Sequence, residues 1–590
     1  MNPTLRHCCL IIIVLLISGS ISTLKAQGVF APQDNDYTHL IDRWEILSGK
    51  FAHGFHSSFK AYERKGVVGW VDSLAADTGL ASSFSKTDQF NLQYLRNDSP
   101  EWCDSLSNLS KYKPRWWGPV YRTQNAFYEF QSPDFDLILN PVYYFMGGSD
   151  RNTSHSITTN TRGLELRGHI MKKVGFYTYF SDNQVQLPNY VDTRVLRDGV
   201  LMGETFWKEY KDQTGYDFFQ ARGYITFDPI KAIHVQFGYD KNQVGNGYRS
   251  LILGSQAAPY TFLKVQTRIW RLQYTNLYAQ MKGSPAVAIG KGGGVIGSQL
   301  VPTKYMTMHH LSLNLTPNLN IGIFEAIMFS RGDSTGNGGY DLAYLNPIIF
   351  YRSVEQTLGS PDNAMLGADA RYNFLKHFQV YGQFTLDEFY ISDLTSRNNS
   401  WRNKFAWQLG AKYYNAFGIR NLDLQAEYNY IRPFTYSHDS QLRNWANYGQ
   451  PLAHPLGANL TESIGIVRYQ PHGRVLITGK VSYTRFGDDS LQLYTGRVVQ
   501  GTGGFNGHNI LTPYTARTDG RINGYPMYSG INTTLLWAEL NVSYMIRHGV
   551  WFDFTYTRRS LNSAKAELNQ TTNMITGALR VNIGRRTWEY

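Results

Sequence analysis

The clearest pattern in this chain is a two-residue alternation of apolar and polar side chains that starts near residue 121. Such alternation predicts β-strands with one apolar face and one polar face. Two of the best examples, Ala538–Ile546 and Val550–Tyr556, are separated only by Arg547-His548-Gly549, which predicts a tight hairpin. Many of these stretches run for about ten residues, the length that a tilted strand needs to cross a membrane.

The connections between the predicted strands alternate between short and long. Short ones fall near residues 228–230 and 547–549, and long ones near 330–363. Short turns at one end and long loops at the other are typical of outer-membrane barrels, whereas a soluble sandwich gives no reason for the asymmetry. An even strand count requires a turn inside residues 261–281, near Arg268–Arg271. We therefore predict an all-β transmembrane fold, a closed antiparallel barrel of about 18 strands.

Three helical patterns precede the barrel. Apolar residues repeat at helical spacing over Leu40–Leu47 and Val67–Leu74, and Ser85 with Asp88 has the spacing of a capping box. We expect residues 27–120 to form a small helical domain that plugs or faces the periplasmic end of a barrel made by residues 121–590.

The first 26 residues resemble a secretory signal peptide. Arg6 precedes a short apolar run, Leu10–Ile17, and small and polar residues follow up to Ala26. The run is too short to span a bilayer, which takes about 20 apolar residues. We predict cleavage after Ala26 and export to the outer membrane. Only Cys103 then remains, so the mature fold uses no internal disulfide.

Composition supports the barrel and limits the partners. Aromatic residues make up 15% of the chain while the mean hydropathy is −0.36, as expected when only every second strand residue faces lipid. The formal charge of +12 suits an acidic partner such as lipopolysaccharide or an acidic glycan. The sequence has no basic run, zinc-ligand spacing or RNA-binding motif, so we predict neither a nucleic-acid partner nor a cofactor or metal.

The predicted loops contain aromatic and polar side chains that could bind a sugar. Aromatic rings stack on the C–H faces of sugars, and charged or amide groups bond the hydroxyls; the same rings could instead anchor loops or form a membrane girdle. The candidate glycan-binding residues are Tyr340, Tyr344, Arg352, Glu355, Trp401, Trp445, Tyr448 and His454.

Signals for catalysis are weak. His309 and His310 are neighbours on one predicted strand, so their side chains point to opposite faces of the sheet. Asp387 and Glu388 are likewise neighbours, and their side chains also point to opposite faces. We therefore predict that the protein is not an enzyme. Charges on the predicted inward faces, such as Lys412 and Asp423, indicate either an ion-paired lining or a solute path.

The order of several motifs resembles the Wzi-type capsule assembly family of outer-membrane proteins, in a branch that includes gliding-motility relatives. The stretches that carry the resemblance are Leu40–Glu45, Asp88–Leu95, Gly245–Leu253, His309–Leu311, Phe324-Glu325, Tyr344–Pro347 and Tyr448–Gly457. The resemblance implies an 18-stranded barrel with a helical plug and a lectin-like role without catalysis.

We therefore expect an outer-membrane barrel that binds and anchors capsular or other surface polysaccharide. The alternatives are a gliding-motility or adhesion component that acts through envelope proteins, and a porin-like diffusion channel. Expected partners are surface polysaccharide, outer-membrane lipid and lipopolysaccharide. The alternating stretch Ile575–Ile583, close to the aromatic Tyr590, also resembles the signal read by the barrel-insertion machinery.

Overall fold

Eighteen long strands close into an antiparallel barrel in which each strand pairs with its neighbours in the chain and the last pairs with the first. The computed structural model describes residues 28–33, 37–103, 121, 123–153, 155–210, 215–285, 301–330, 339–350, 362–489, 504–517 and 520–590. Within these residues the predicted fold class and strand number are confirmed. The barrel closes where Met574 pairs with Asp150 and Val581 with Tyr143.

The barrel strands are numbered here in chain order. They are β1 Phe135–Asp150, β2 Ile157–Ile170, β3 Val174–Gln186, β4 Gly215–Ile230, β5 Ile233–Asp240, β6 Tyr260–Ile269, β7 Leu272–Lys282, β8 Thr303–Thr316, β9 Leu319–Phe329, β10 Asn363–Phe374, β11 Phe378–Glu388, β12 Lys404–Tyr413, β13 Leu422–Ile431, β14 Leu460–His472, β15 Val475–Asp488, β16 Ile531–Arg547, β17 Val550–Ser563 and β18 Gln570–Val581. Shorter strands are Tyr128–Gln131 and Lys208–Tyr210 on the wall, Phe59–Lys60 paired with Gln243–Val244, and Ala446–Asn447 paired with Gln450–Pro451.

Six α-helices are described. They are α1 Tyr37–Ser48, α2 Arg64–Ala76, α3 Thr78–Ala81, α4 Lys86–Asn97, α5 Asn189–Asp198 and α6 Ile391–Thr395. Single 3₁₀ turns occur at Pro100–Trp102, Leu342–Leu345, Ala416–Gly418, Tyr514–Ala516 and Ala566–Leu568. Within the described part of the chain, no helix combines the length and the apolar character needed to cross a membrane.

The alternation of apolar and polar residues gives each strand an apolar outward face and a polar inward face, as predicted. In β17, Phe552 and Phe554 are exposed on the outside of the barrel, whereas Trp551 and Asp553 are buried inside. Exposed apolar side chains recur on the outward faces of strands around the barrel, as a lipid-facing wall requires. Inside the barrel, Arg580 donates a 2.7 Å hydrogen bond to Asp553, so the charged lining is ion-paired here.

Two turns test the sequence-based boundaries. β6 ends at Ile269 and β7 begins at Leu272, so the turn required by the even strand count lies where it was predicted. The turn predicted at 228–230 instead lies at residues 231–232. The register of β4 against β5 shifts between Phe227 and Ile230, and Pro229 falls within that shift. A proline at such an irregularity removes no regular backbone hydrogen bond between the strands. Pro229 therefore lies within β4 and does not indicate the position of the turn.

The helical segment closes the short-turn end of the barrel. Arg43 in α1 donates a 2.5 Å hydrogen bond to Asp423 of β13, and Arg371 of β10 donates a 2.6 Å hydrogen bond to Glu45. The predicted capping box is present, because the Ser85 hydroxyl accepts from the Asp88 N–H while the Asp88 carboxylate accepts from the Ser85 N–H. These bonds join helices near the start of the chain to strands more than 300 residues later.

Two long loops fold into the lumen rather than away from it. Residues 241–259 and 432–459 supply Leu251 and Trp445 to a buried apolar cluster that also contains inward-facing Met308 of β8. The lumen at the loop end therefore contains a packed core, because apolar side chains from both loops face each other and the wall.

The C-terminal segment also enters the lumen. Beyond β18, residues 582–590 leave the wall, and Arg585 lies 2.8 Å from Glu539 of β16. Glu589 pairs with Lys480 of β15 and with Arg249. Tyr590 therefore lies inside the barrel, nine residues beyond the last strand residue, and does not extend the strand that the sequence placed near it.

Candidate functional site: a pocket at the loop end of the barrel

A pocket of about 290 Å³ lies inside the barrel wall at its loop end, and we call it the mouth pocket. The loop-side ends of β15–β18 form one side, with Arg559 of β17 facing inward. Helix α5 forms the opposite side through Tyr190 and Arg194, and Tyr590 completes the lining. Its volume is near the lower end of the range for small-molecule sites in proteins.

The helical repeat of α5 places Tyr190 and Arg194 on the side of the helix that faces the mouth pocket. It follows Pro188 and ends at Gly199, which has a φ of 72° that favours glycine. Tyr190 and Arg194 are four residues apart and share one helix face. Val191 and Val195 are buried against the barrel, so the helix orientation is fixed by apolar packing.

Two arginines lie over the two tyrosine rings of the pocket. The Arg559 guanidinium is 4.5 Å from the Tyr190 ring centre, and the Arg194 guanidinium is 4.2 Å from the Tyr590 ring centre. Arg559 also donates a 3.0 Å hydrogen bond to the main-chain oxygen of Tyr590. Burial raises the pKa of Tyr190 well above 10, so its hydroxyl stays protonated and donates to the Trp588 carbonyl. These contacts hold the rings and cations in fixed positions.

The remaining lining adds flat and hydrogen-bonding groups. The His508 ring stacks on Phe486 with centres 4.4 Å apart and planes 10° apart. Asp488, Glu567 and Asn569 contribute carboxylate and amide oxygens. The pocket can therefore bind a polar ligand that also has apolar faces. Among the described residues, no group of three or more His, Cys, Asp or Glu side chains could hold a metal ion.

A second cavity, of about 320 Å³, follows the C-terminal segment deeper in the lumen. Its lining includes Arg222, Arg249 and Arg586 together with Glu204 and Glu589. Burial raises the pKa of Glu204. Because residues 583–590 form much of its lining, this cavity depends on the position of the C-terminal segment.

The barrel and its loop-end pocket can be compared with known proteins. The family model described as "Capsule assembly protein Wzi" matches residues 180–534, more than half of the chain. The chain belongs to the Wzi capsule assembly family. No curated protein sequence matches it. A solved Escherichia coli Wzi structure covers 95% of this chain and 100% of its own, at 13% identity and a TM-score of 0.55.

Two further solved barrels give lower TM-scores. Pseudomonas aeruginosa OprD is 11% identical, covers 76% of this chain and 94% of its own, and gives a TM-score of 0.39. Acinetobacter baumannii OccAB2 is 8% identical, covers 76% of this chain and 99% of its own, and gives a TM-score of 0.40.

The structure places the predicted glycan-binding residues in different environments. Tyr340 and Tyr344 pack on the outside of the barrel wall against Phe329, with ring centres 5.1 and 4.5 Å away. Trp401 lies in a loop-end aromatic cluster, 4.7 Å from the Tyr514 ring and 4.0 Å from the Arg517 guanidinium. Arg352 and Glu355 lie outside the described residues.

The other three predicted residues are buried in the two inward loops of this chain. Trp445 donates a 2.8 Å hydrogen bond to the Ile252 carbonyl. His454 pairs with Glu462, which Arg249 also contacts; burial lowers the pKa of His454. Tyr448 is largely buried, and its backbone N–H donates to the Lys282 carbonyl. None of the six predicted residues within the described part of the chain lines the mouth pocket.

Sequence reasoning missed the residues that do line the mouth pocket, although two signals were present. The Val550–Tyr556 alternation extends by parity to Arg559 and places it on the inward face. A proline at 188 and a glycine at 199 bracket the ten residues of α5, which predicts a helix that carries Tyr190 and Arg194. The return of Tyr590 into the lumen had no local signal.

Proposed function

We propose that this Wzi family member binds surface polysaccharide at the mouth pocket and retains it at the cell exterior as part of capsule assembly, without catalysing a reaction. Family membership supports this role, as does the similarity in fold to the Escherichia coli protein, described as a carbohydrate-binding β-barrel involved in group 1 capsule assembly. The observation that carries the proposal is the arginine-covered pair of tyrosines at the loop end.

The chemistry of the mouth pocket fits a sugar ring. The half-buried His508 ring and the Leu561 side chain would contact sugar C–H groups, while Arg559 and Asn569 would bond hydroxyl or carboxylate oxygens. A single pocket of this kind binds weakly. A repeating polymer engages many barrels at once, so retention would come from multivalency rather than from one strong site.

The filled lumen favours retention over free diffusion. Within the described residues, the helical segment occupies the short-turn end, two loops occupy the loop end, and residues 582–590 run between them. A porin-like role would need an unobstructed path. A motility or adhesion role would use the same barrel with a protein partner. The deletion strain distinguishes that role from polysaccharide retention.

Export and assembly follow from the same proposal. Residues 1–26 would direct the chain across the inner membrane, residues 27–120 would form the periplasmic plug domain, and residues 121–590 would be inserted by the barrel-insertion machinery. The long loops would then face outward, where lipopolysaccharide and capsule are present. The apolar outward faces of the strands support this placement.

A deletion strain complemented with variants tests the proposal. Loss of the protein should release polymer into the medium, as measured by capsule staining and by assay of the culture supernatant. Arg559→Gln removes a charge-assisted contact of about 1.5–3 kcal/mol, so purified barrel should bind purified polymer about 10- to 100-fold more weakly per site. Lys565→Gln, on an exposed turn outside the mouth pocket, is the matched control.

Three results would decide against the proposal. Normal polymer retention in the deletion strain would exclude an anchoring role. Equal polymer binding by Arg559→Gln and wild type, with both barrels folded by heat-modifiable migration, would exclude the mouth pocket as the binding site. Normal retention together with loss of surface motility or of an envelope-protein complex would favour the motility alternative.

A further inference from the structure

Three polar side chains form a row on the outside of the barrel wall. Asn276 of β7 lies opposite His309 of β8, which lies opposite Glu325 of β9. His309 is the seventh of the 14 residues of β8, so the row is at mid-strand. The adjacent His310 points inward to Asp369, which confirms that His309 points outward. A charged group at mid-bilayer on a lipid-facing wall costs up to a few kcal/mol.

The row is buried although it is on the outer face. Asn276, His309 and Glu325 are each only 5% exposed. Within the described part of the chain, residues 339–350 cover the row. We call these residues the strap; they belong to the β9–β10 connection and lie on the outer face of β7–β9. Phe329 lies under the strap and is fully buried by Tyr340 and Tyr344.

The wall bonds the backbone of the strap. The hydroxyls of Tyr274 and Tyr278 donate to the carbonyls of Pro347 and Leu345. Thr307 donates a 3.1 Å hydrogen bond to the Tyr344 carbonyl, and the Phe350 N–H donates to the Glu325 carboxylate. Polar groups at mid-strand on the outer face thus have a structural role, since they satisfy backbone groups of an irregular segment.

The strap bonds more of its own backbone internally. Its 3₁₀ turn, Leu342–Leu345, is capped by Asp341, whose carboxylate accepts from the Ala343 N–H. The Asn346 side chain accepts from the Ile348 N–H. Irregular backbone does not occur in contact with lipid unless its polar groups are satisfied, and this strap meets that condition at the groups named here.

The opposite face of the strap is apolar and uncovered. Leu342 is 76% exposed and Ile348 is 59% exposed, and Leu345 and Phe350 are also exposed. Exposed apolar side chains also occur on the neighbouring wall, including Ile321 of β9. In water, such a cluster on a long loop would be an aggregation hazard. Beside the lipid-facing belt it continues an apolar surface.

We propose that the strap is inserted into the membrane, where its outer face contacts the acyl chains of the surrounding lipid and its inner face seals the polar row. Residues 339–350 are then a membrane-contacting element rather than part of an exterior sugar-binding loop. The proposal does not depend on the mouth pocket or on polysaccharide binding.

Spin labelling in lipid vesicles tests the location of the strap. Single cysteines replace Leu342 or Ile348 in a chain whose native cysteines are serine. Power saturation then compares collisions with oxygen, which concentrates in lipid, and with a water-soluble nickel chelate. Leu409→Cys on the outward face of β12 is the lipid control, and Lys565→Cys on an exposed turn is the water control.

Labels at positions 342 and 348 should match the Leu409 control in oxygen preference. A nickel preference like that of the Lys565 control, in a barrel that shows normal heat-modifiable migration, would overturn the proposal. A second comparison tests the polar row. Glu325→Leu removes the acceptor for the Phe350 N–H and should mobilise the label at 348, whereas Glu325→Gln retains an acceptor and should not. Equal label mobility in both variants would contradict the sealing role of the row.

Discussion

Arg43 in α1 donates a 2.5 Å hydrogen bond to Asp423 of β13 and a second hydrogen bond to Asp88 of α4, with its own side chain almost fully buried. One guanidinium thus joins two helices to the barrel wall across 380 residues of sequence. Desolvating three charges is costly, and the cost is offset only while all the partners remain in place. This cluster therefore couples the position of the helical segment to the wall.

Replacing Arg43 should loosen the helical segment. Arg43→Met leaves two buried carboxylates without their guanidinium, a change that costs about 3–5 kcal/mol in comparable pairs. We expect faster proteolysis within α1–α4 and a lower urea midpoint by tryptophan fluorescence. The double variant Arg43→Met with Asp423→Leu should recover part of this loss. If the two changes are simply additive, Arg43 and Asp423 are not energetically coupled.

Asp98, the residue after α4, gives a pH prediction. Burial alone would raise its pKa, but the Arg64 guanidinium 2.5 Å away and the His548 imidazole hold the pKa of that carboxyl well below 3.8. A carboxylate with a lowered pKa in the folded state stabilises the fold fully above its ordinary pKa, and this contribution is lost as the pH falls toward the folded-state value.

Asp98→Asn should therefore destabilise the helical segment by about 1.5–3 kcal/mol near pH 7, the contribution of a hydrogen bond between charged groups. Its difference from wild type should shrink as the pH falls below about 4, where the wild-type carboxyl begins to protonate in the unfolded state. Urea unfolding across pH 3–7 measures this. Asp72→Asn removes a more exposed partner of Arg96 and should change stability by less than about 1 kcal/mol at any pH. A constant Asp98→Asn deficit down to pH 3 would refute the assignment.

The regular elements were predictable because their signals are local. Two-residue alternation placed Lys412 on the inward face, where it pairs with Asp42 at 2.6 Å. The capping-box spacing at Ser85 located the start of α4 for the same reason. Neither inference required knowledge of distant partners.

The destinations of the loops were not predictable from aromatic content. Trp401, Trp445 and Tyr344 are all aromatic residues in predicted loops. In the structure, Trp401 lies in a loop-end aromatic cluster, Trp445 lies in the lumen, and Tyr344 lies on the outer wall. Their positions depend on partners far away in sequence, such as the Ile252 carbonyl for Trp445. Alternation defines the wall but carries no information about which loops fold inward.

Removing residues 584–590 should open the lumen. β18 ends at Val581, so the barrel can still close, while Arg249 and Lys480 lose Glu589 as a partner. We expect single-channel conductance with a preference for anions, and swelling of liposomes in small sugars. Thr587→Ser, which keeps the segment, is the control and should remain closed. A folded but non-conducting truncation would mean that the helical segment or the two inward loops, residues 241–259 and 432–459, close the lumen without the C-terminal segment.

Two tryptophans of the predicted glycan site should respond differently to the same substitution. Trp445 is fully buried and its indole donates to the Ile252 carbonyl, so Trp445→Phe leaves that carbonyl unpaired at a cost of about 1–3 kcal/mol. Trp401→Phe keeps an aromatic ring beside Tyr514 and should change stability by less than about 1 kcal/mol. Urea midpoints and polysaccharide binding are measured together for both variants. Because Trp445 joins the two inward loops, any binding loss in Trp445→Phe should accompany a loss of stability. Binding lost at unchanged stability would instead make Trp445 a direct ligand contact.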